Sequence, residues 1–201
     1  MTQRRFHYEQ AFEHYLRANR IPYVAVDEAK KALLPAGSGS AVGEAADARK
    51  ANAGGAIKSF DFVVYAESRN LLVDVKGRMF GSAAGRSSLS NRRFESWVTL
   101  EDIEGLQRWQ ELFGGDFEAI FVFAYCLRQQ PPDALFESVL SHGGRWYALR
   151  EIALASYRRH MVRRSEKWGT VHIPAKVYHR ISRPFLIHPP AACDSPEGAI
   201  C

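Results

Sequence analysis

The chain has 201 residues, 46% of them hydrophobic, which suits one globular domain. Its 27 Lys and Arg residues outnumber 22 Asp and Glu residues, and the net charge of +5 favours anionic partners. No run of about 18 apolar residues occurs, and no apolar segment follows the first charges, so we expect neither a transmembrane helix nor a signal peptide. Three cysteines without CxxC spacing disfavour a disulfide framework and predict a cytoplasmic protein.

Hydrophobic periodicity predicts an α/β protein. Thr99 and Asp102 have the spacing of a capping box, which starts a helix. The continuous apolar run over residues 119–126 is typical of a central strand. In chain order, the predicted elements are a helix over residues 4–19, a strand over 21–26, two strands over 58–66 and 71–76, a helix from about residue 100, and a strand over 119–126.

The positive charge is concentrated near the C-terminus, where residues 145–188 contain ten Lys or Arg residues and two acids. We predict strands over 145–149 and 168–173 and a basic helix over 153–164 between them. So many cations on one helix indicate contact with an anion, although a solvated surface is the alternative. The candidates for binding a nucleic-acid backbone are Arg158, Arg159, Arg163, Arg164 and Lys167.

These patterns divide the chain into three expected parts. A core domain spans residues 1–130, and a basic extension over residues 131–188 packs on it. A disordered tail covers residues 189–201.

The two strands over residues 58–66 and 71–76 carry an unusual set of charges. Asp74 and Lys76 share one face, because strand side chains alternate. A turn centred on residues 68 and 69 would place Asp61 across from Lys76 and diagonal to Asp74, close enough for the two carboxylates to bind one cation. Burial of these groups is unfavourable without compensation, which indicates a metal site. A cross-strand ion pair between Asp61 and Lys76 is the alternative.

This arrangement resembles the core of the PD-(D/E)xK nuclease superfamily, with Asp61 on the second strand and Asp74-Val75-Lys76 on the third. The resemblance implies a restriction-endonuclease-like αβββαβ core, a central mixed sheet and a Mg²⁺ or Mn²⁺ cofactor. Phe60 stands where the superfamily's name has proline. The segment His-Tyr-Glu-Gln-Ala-Phe-Glu over residues 7–13 also matches the signature of the uncharacterised HYExAFE family.

Each candidate site residue has a role in phosphodiester hydrolysis. Asp61 and Asp74 offer the hard oxygen ligands that Mg²⁺ prefers, and the Val75 carbonyl is a further ligand. The resemblance adds Glu9, on the first helix, as a member of the metal shell. Lys76 would orient or deprotonate the attacking water, or stabilise charge on the phosphate.

Several polar and aromatic residues allow two interpretations. Glu13 follows Glu9 by one helical turn, so either could join the site. The glutamines at positions 107 and 110 could approach the site or form hydrogen bonds at the core boundary. We expect the four tryptophans to pack in the core or at its edge rather than stack on bases. They are Trp97, Trp109, Trp146 and Trp168.

The sequence therefore predicts a metal-dependent nuclease that acts on nucleic acid, with DNA as the favoured substrate. No HEXXH, P-loop or GxSxG motif offers a competing chemistry. Two alternatives remain: a catalytically inactive nuclease fold that binds nucleic acid, and an interaction protein whose charges form ion pairs.

Overall fold

The computed structural model describes residues 3–26, 57–80, 94–127 and 139–185, with side chains from residue 7 onward. The whole predicted tail over residues 189–201 lies outside these ranges. The described helices are α1 (Gln3–Ala18), α2 (Leu100–Phe113), α3 (Leu154–His160) and α4 (Ala175–Ile181). The described strands are β1 (Tyr23–Ala25), β2 (Phe62–Ala66), β3 (Arg69–Met79), β4 (Val98–Thr99), β5 (Phe117–Leu127), β6 (Leu140–His142), β7 (Arg145–Ala153), β8 (Val162–Ser165), β9 (Thr170–His172) and β10 (Arg183–Pro184).

A mixed sheet of seven strands forms the centre of the fold. Its order is β1-β2-β3-β5-β7-β10, and β6 also pairs with β7. β3 and β5 are parallel, while the other neighbours are antiparallel. α2 connects the two parallel strands, which a hairpin cannot join. A separate three-stranded sheet has the order β4-β9-β8.

Both faces of the central sheet are covered. On one face, Phe12 and Leu16 of α1 pack against the side chains of β2, β3 and β5. On the other face, Ile103 and Leu106 of α2 pack against Leu72 and its neighbours. Because β5 lies between the two layers, nine of its eleven residues are buried. Each large apolar side chain so buried stabilises the fold by roughly 1.5–3 kcal/mol.

The predicted α/β class and its αβββαβ core are confirmed, with the two-residue strand β4 as an addition before α2. The capping box at the start of α2 is also confirmed: the Thr99 side chain accepts a hydrogen bond from the Asp102 N–H, and the Asp102 side chain accepts one from the Thr99 N–H. The strand predicted over residues 145–149 extends to Ala153, so residues beyond 130 supply β6, β7 and β10 to the central sheet.

The basic helix predicted over residues 153–164 is wrong in its second half. α3 ends at His160, and Met161 has an extended backbone. Val162 and Arg163 then pair with β9 as part of β8. Strand pairing and the β propensity of Val162 therefore outweigh the helical pattern of the basic residues.

No helix in the described part of the chain combines the length and the apolar character needed to cross a membrane.

Candidate nuclease site

The candidate site lies where β3 extends beyond its partner β2. The β2–β3 ladder ends at Phe62 opposite Val73, and Asp61 continues it with a backbone hydrogen bond to the Val73 carbonyl. Beyond this point, the residues of β3 pair only with β5 among the described strands. The Val75 N–H donates to Asp61 Oδ2 at 2.7 Å instead of to a strand. The N–H and the C=O of a strand residue point to the same edge of the strand, so the Val75 carbonyl also faces this site.

The register of the hairpin differs from the predicted one by two residues. The turn is Glu67-Ser68, with Ala66 paired to Arg69. Asp61, one residue before the ladder, therefore has its side chain next to Asp74, and Lys76 is one pair further along β3. Because the difference is an even number of residues, it leaves the same side chains on the same face of the sheet. The two acids meet more directly than the sequence indicated.

Burial and mutual repulsion make this acid pair difficult to ionise. Burial raises the pKa of Asp61 to about 6, and the negative charge of Glu9 adds to the shift. Burial also raises the pKa of Asp74 to about 7; the positive charge of Lys76 opposes this change, and Asp61 reinforces it. Both carboxyl groups are therefore partly protonated near neutral pH, which is unusual for aspartate.

Lys76 is held between two acids, and neither is Asp61. Its Nζ lies 2.7 Å from Asp74 Oδ2 and 3.1 Å from Asp102 Oδ1. Burial lowers the pKa of Lys76, but the charges of Asp74 and Asp102 outweigh that effect and the net shift is upward. The predicted pair between Asp61 and Lys76 is therefore replaced by contacts to other acids. Lys76 is a cation here, which disfavours proton abstraction.

Asp102 is the main residue that the sequence interpretation missed. It is buried at the start of α2, and Lys58 Nζ lies 2.5 Å from its Oδ1. Burial tends to raise the pKa of Asp102, but the positive charge of Lys76 and hydrogen bonds from Lys58 and Thr99 hold it below its usual range. The sequence signalled only the helix cap, because the contacts with both lysines depend on the packing of α2 against the sheet.

A cavity of about 370 Å³ opens beside these charges. Glu9, on the first helix, lines the cavity together with Val75 and Lys76. Glu13 points elsewhere: its Oε1 accepts hydrogen bonds from Arg17 and Tyr23, each 2.7 Å long. The structure thus brings Glu9, and not Glu13, to the site.

The wall of the cavity depends on a glycine. A Cβ at position 77 would lie 2.1 Å from the ring of Tyr8, so only glycine lets α1 approach β3 this closely. Arg78 follows, donates to the Gly77 carbonyl at 2.7 Å and lies 4.0 Å from the ring centroid of Trp97. Tyr8, Arg78 and Trp97 all line the cavity. No local sequence pattern predicts that these three residues meet at the cavity.

The two glutamines of α2 do not line the cavity. Gln110 Oε1 accepts a hydrogen bond from the Ala119 N–H, and Gln107 donates to Glu111. They act at the boundary of the core, which was one of the two interpretations.

The predicted backbone-binding residues lie on three consecutive segments. Arg158 and Arg159 are exposed on α3, Arg163 and Arg164 are exposed on β8, and Lys167 is exposed in the turn that follows. Only Arg164 approaches the candidate site, with its Cζ 5.3 Å from the ring centroid of Trp97. Trp168 is 71% exposed, so the expectation that it packs in the core or at its edge is wrong.

The chemistry of the donor set fits a hard divalent cation. Asp61 and Asp74 face each other with raised pKa values, and a cation would replace their proton. Within the described ranges, no group of three or more His, Cys, Asp or Glu side chains is arranged to hold a metal. Mg²⁺ commonly uses only one or two carboxylates and completes its shell with waters and substrate oxygens. Asp61 and Asp74 would supply that number, next to the cavity that Glu9, Val75 and Lys76 line.

Comparisons with known proteins identify no family for this chain. No family model matches the sequence. No curated protein matches it either. One similar solved structure is Hjc, a Holliday junction resolvase from the archaeal hyperthermophile Archaeoglobus fulgidus. The match has 14% sequence identity, covers 66% of this chain and 74% of the resolvase chain, and has a TM-score of 0.36.

Proposed function

We propose that this protein is a divalent-metal-dependent nuclease that hydrolyses phosphodiester bonds in nucleic acid, with DNA as the favoured substrate. The proposal includes membership of the PD-(D/E)xK superfamily and of the HYExAFE group within it. The supporting observation is that the half-buried Asp61 lies next to the buried Asp74, where β3 extends beyond β2, and that Lys76 contacts Asp74. An ion pair with a purely structural role would match each acid with a cation, whereas here two acids lie beside one lysine.

In this proposal, the residues of the site have different roles in hydrolysis. Asp61, Asp74 and the Val75 carbonyl would hold Mg²⁺ or Mn²⁺, with Glu9 completing the shell directly or through water. A metal held by these residues would supply Lewis-acid stabilisation of the phosphate and would lower the pKa of a water molecule. Lys76 places a fixed positive charge beside the phosphate oxygens, where negative charge develops in the transition state.

Asp102 would position Lys76 for this role. Its Oδ1 contacts both Lys76 and Lys58, so a single carboxylate orients two ammonium groups at the cavity. A lysine held in place needs less reorganisation when the phosphate binds. Asp102 itself is held by the Thr99 N–H, which ties this arrangement to the start of α2.

The surface near the cavity supports binding of a polyanion. Arg163, Arg164 and Lys167 are exposed on β8 and the turn after it, and Arg164 lies against Trp97 at the cavity wall. Arg158 and Arg159 extend this positive surface along α3. Such residues contact phosphates and provide affinity without sequence preference.

A cleavage assay tests the proposal. We expect the purified protein to nick or degrade DNA with Mg²⁺ or Mn²⁺ and to lose this activity in EDTA. Asp74→Ala should lower the rate roughly a thousandfold, because several kcal/mol of transition-state stabilisation depend on the metal. Glu118→Gln is the matched control, since it removes an acid from the same sheet outside the cavity and should retain wild-type activity.

The same assay separates the alternatives. Cleavage by Asp74→Ala at the wild-type rate, after identical purification, would reject this site. DNA binding without cleavage in any metal would favour an inactive nuclease fold that binds nucleic acid. Absence of both, with no response to metal, would favour the interaction protein with structural ion pairs.

A further inference from the structure

The β8–β9 hairpin is attached to the rim of the candidate site. Its strand β9 pairs with β4, with Thr99 opposite Thr170. The Leu100 N–H also donates to the Gly169 carbonyl at 2.8 Å, so the turn of the hairpin is fixed to the start of α2. Thr99 lines the cavity of about 370 Å³ at the candidate site. A ligand bound on the hairpin would therefore lie next to the proposed site of cleavage.

The turn of this hairpin presents a tryptophan to solvent. Trp168 is 71% exposed, although burial of an aromatic side chain of this size is strongly favourable. Lys167 Nζ lies 5.7 Å from the Trp168 ring centroid. Arg163 and Arg164 are exposed on the preceding strand. Arg163 is paired with Glu166 of the same turn at 2.7 Å, whereas Lys167 lies over the Trp168 ring and Arg164 is exposed on the hairpin. This surface complements a ligand that has both flat rings and negative charge.

A second cavity lies between the hairpin and the proposed site. It has a volume of about 210 Å³ and is lined by Trp97, Arg164 and His172, among other residues. Trp97 also lines the cavity of about 370 Å³ at the candidate site, so the two cavities share this side chain as a wall. The structure therefore offers a path of aromatic and basic groups from the hairpin towards Lys76.

We propose that the β8–β9 hairpin binds unpaired nucleotides, with Trp168 stacking on a base and Arg164 and Lys167 contacting the neighbouring phosphates. This inference rests on the proposed function and specifies its substrate class: nucleic acid with a single-stranded segment next to the cleaved bond. In a duplex, neighbouring bases cover the ring faces, whereas an unpaired base leaves a face free for an aromatic side chain. A second copy of this hairpin fits poorly, because pairing would bring two sets of arginines together.

Binding measured by fluorescence anisotropy in EDTA tests the inference without cleavage. The probes are an oligothymidine of about 12 nucleotides and a duplex of the same length. Trp168→Ala should weaken binding of the single strand roughly 5- to 100-fold and leave duplex binding unchanged. Trp168→Phe should retain most of the affinity, because phenylalanine can also stack. Leu112→Ala is the control: it removes another exposed apolar side chain, 66% exposed on α2, and should change neither affinity.

The outcomes distinguish this inference from the proposed function. Equal loss on both probes, or no loss on either, would overturn the role of Trp168. A wild-type dimer that Trp168→Ala converts to a monomer would also overturn it, in favour of a protein interface. Selective loss of single-strand binding would support the inference even if the protein cleaves no substrate, in which case only the proposed function would fail.

Discussion

Two buried charge clusters along β3 have opposite electrostatic character. At the start of the strand, Glu151 is 2% exposed and accepts two hydrogen bonds from Arg69, at 2.8 and 2.9 Å, and another from Arg183. In the second half of the strand, the Asp61 and Asp74 side chains lie next to each other, and Lys76 contacts Asp74. The first cluster is balanced in charge, because Arg69 also contacts Glu118, and it suits a structural role. The second leaves excess negative charge, which suits a bound cation.

The Glu151 cluster should contribute strongly to the stability of the fold. Glu151→Gln should lower the free energy of unfolding by roughly 3 kcal/mol, because it removes the charge that holds Arg69 and Arg183. Denaturant unfolding followed by circular dichroism measures the change. Glu118→Gln, which loses only a partly exposed ion pair of 3.4 Å with Arg69, should cost less than about 1 kcal/mol. Equal costs for the two variants would mean that Glu151 has no special structural role.

The acid pair should make the metal-free protein less stable as the pH rises. The pKa values of Asp61 and Asp74 are raised, so their favourable contribution is complete below about pH 4 and is lost as the pH rises through about 6 and 7. We expect the unfolding free energy to fall by a few kcal/mol between pH 5 and pH 8.

The variant that carries both Asp61→Asn and Asp74→Asn provides the reference for this pH effect. Comparison with it removes contributions from other groups, such as His7, whose pKa is lowered mainly by burial and whose effect has the opposite sign. If the wild-type protein loses no more stability than this variant over the same pH range, the pKa values of the carboxyl pair are not raised.

A smaller effect is expected for a single neutral substitution in the pair. At pH 8 without metal, Asp61→Asn should leave the protein as stable as wild type or more stable by about 1 kcal/mol, because it relieves the repulsion with Asp74. The same variant should lose the rise in melting temperature that Mg²⁺ gives to the wild type by binding the folded state. Thermal unfolding with and without Mg²⁺ measures both effects. A clear fall in the metal-free melting temperature would favour a structural role for Asp61.

Local patterns predicted the fold well because its core elements follow local rules. The apolar run of β5 and the capping box of α2 indicate a central strand and a helix start without any tertiary information. The alternation of strand side chains also placed Asp61, Asp74 and Lys76 on one face. That inference survived an error of two residues in the register, because an even shift keeps the faces.

Features set by distant contacts could not be predicted in this way. Asp102 approaches Lys76 because α2 packs across the sheet, and the separation of 26 positions in sequence carries no local signal. The chain leaves the helical pattern after His160 because Val162 can pair with His172 of β9. Trp168 is exposed because it lies in the turn of that hairpin, which the predicted helix did not allow for.

Calorimetric titration with Mn²⁺ measures directly whether the Asp61 and Asp74 pair binds a divalent cation. Because the pKa values of both acids are raised, the pair is partly protonated near neutral pH, and binding of a metal would release protons. We therefore predict that the wild-type protein binds Mn²⁺ with an enthalpy that depends on the ionisation enthalpy of the buffer. Asp74→Asn should abolish this binding, and Glu118→Gln should retain it. Absence of binding in the wild type, or unchanged binding in Asp74→Asn, would contradict the account.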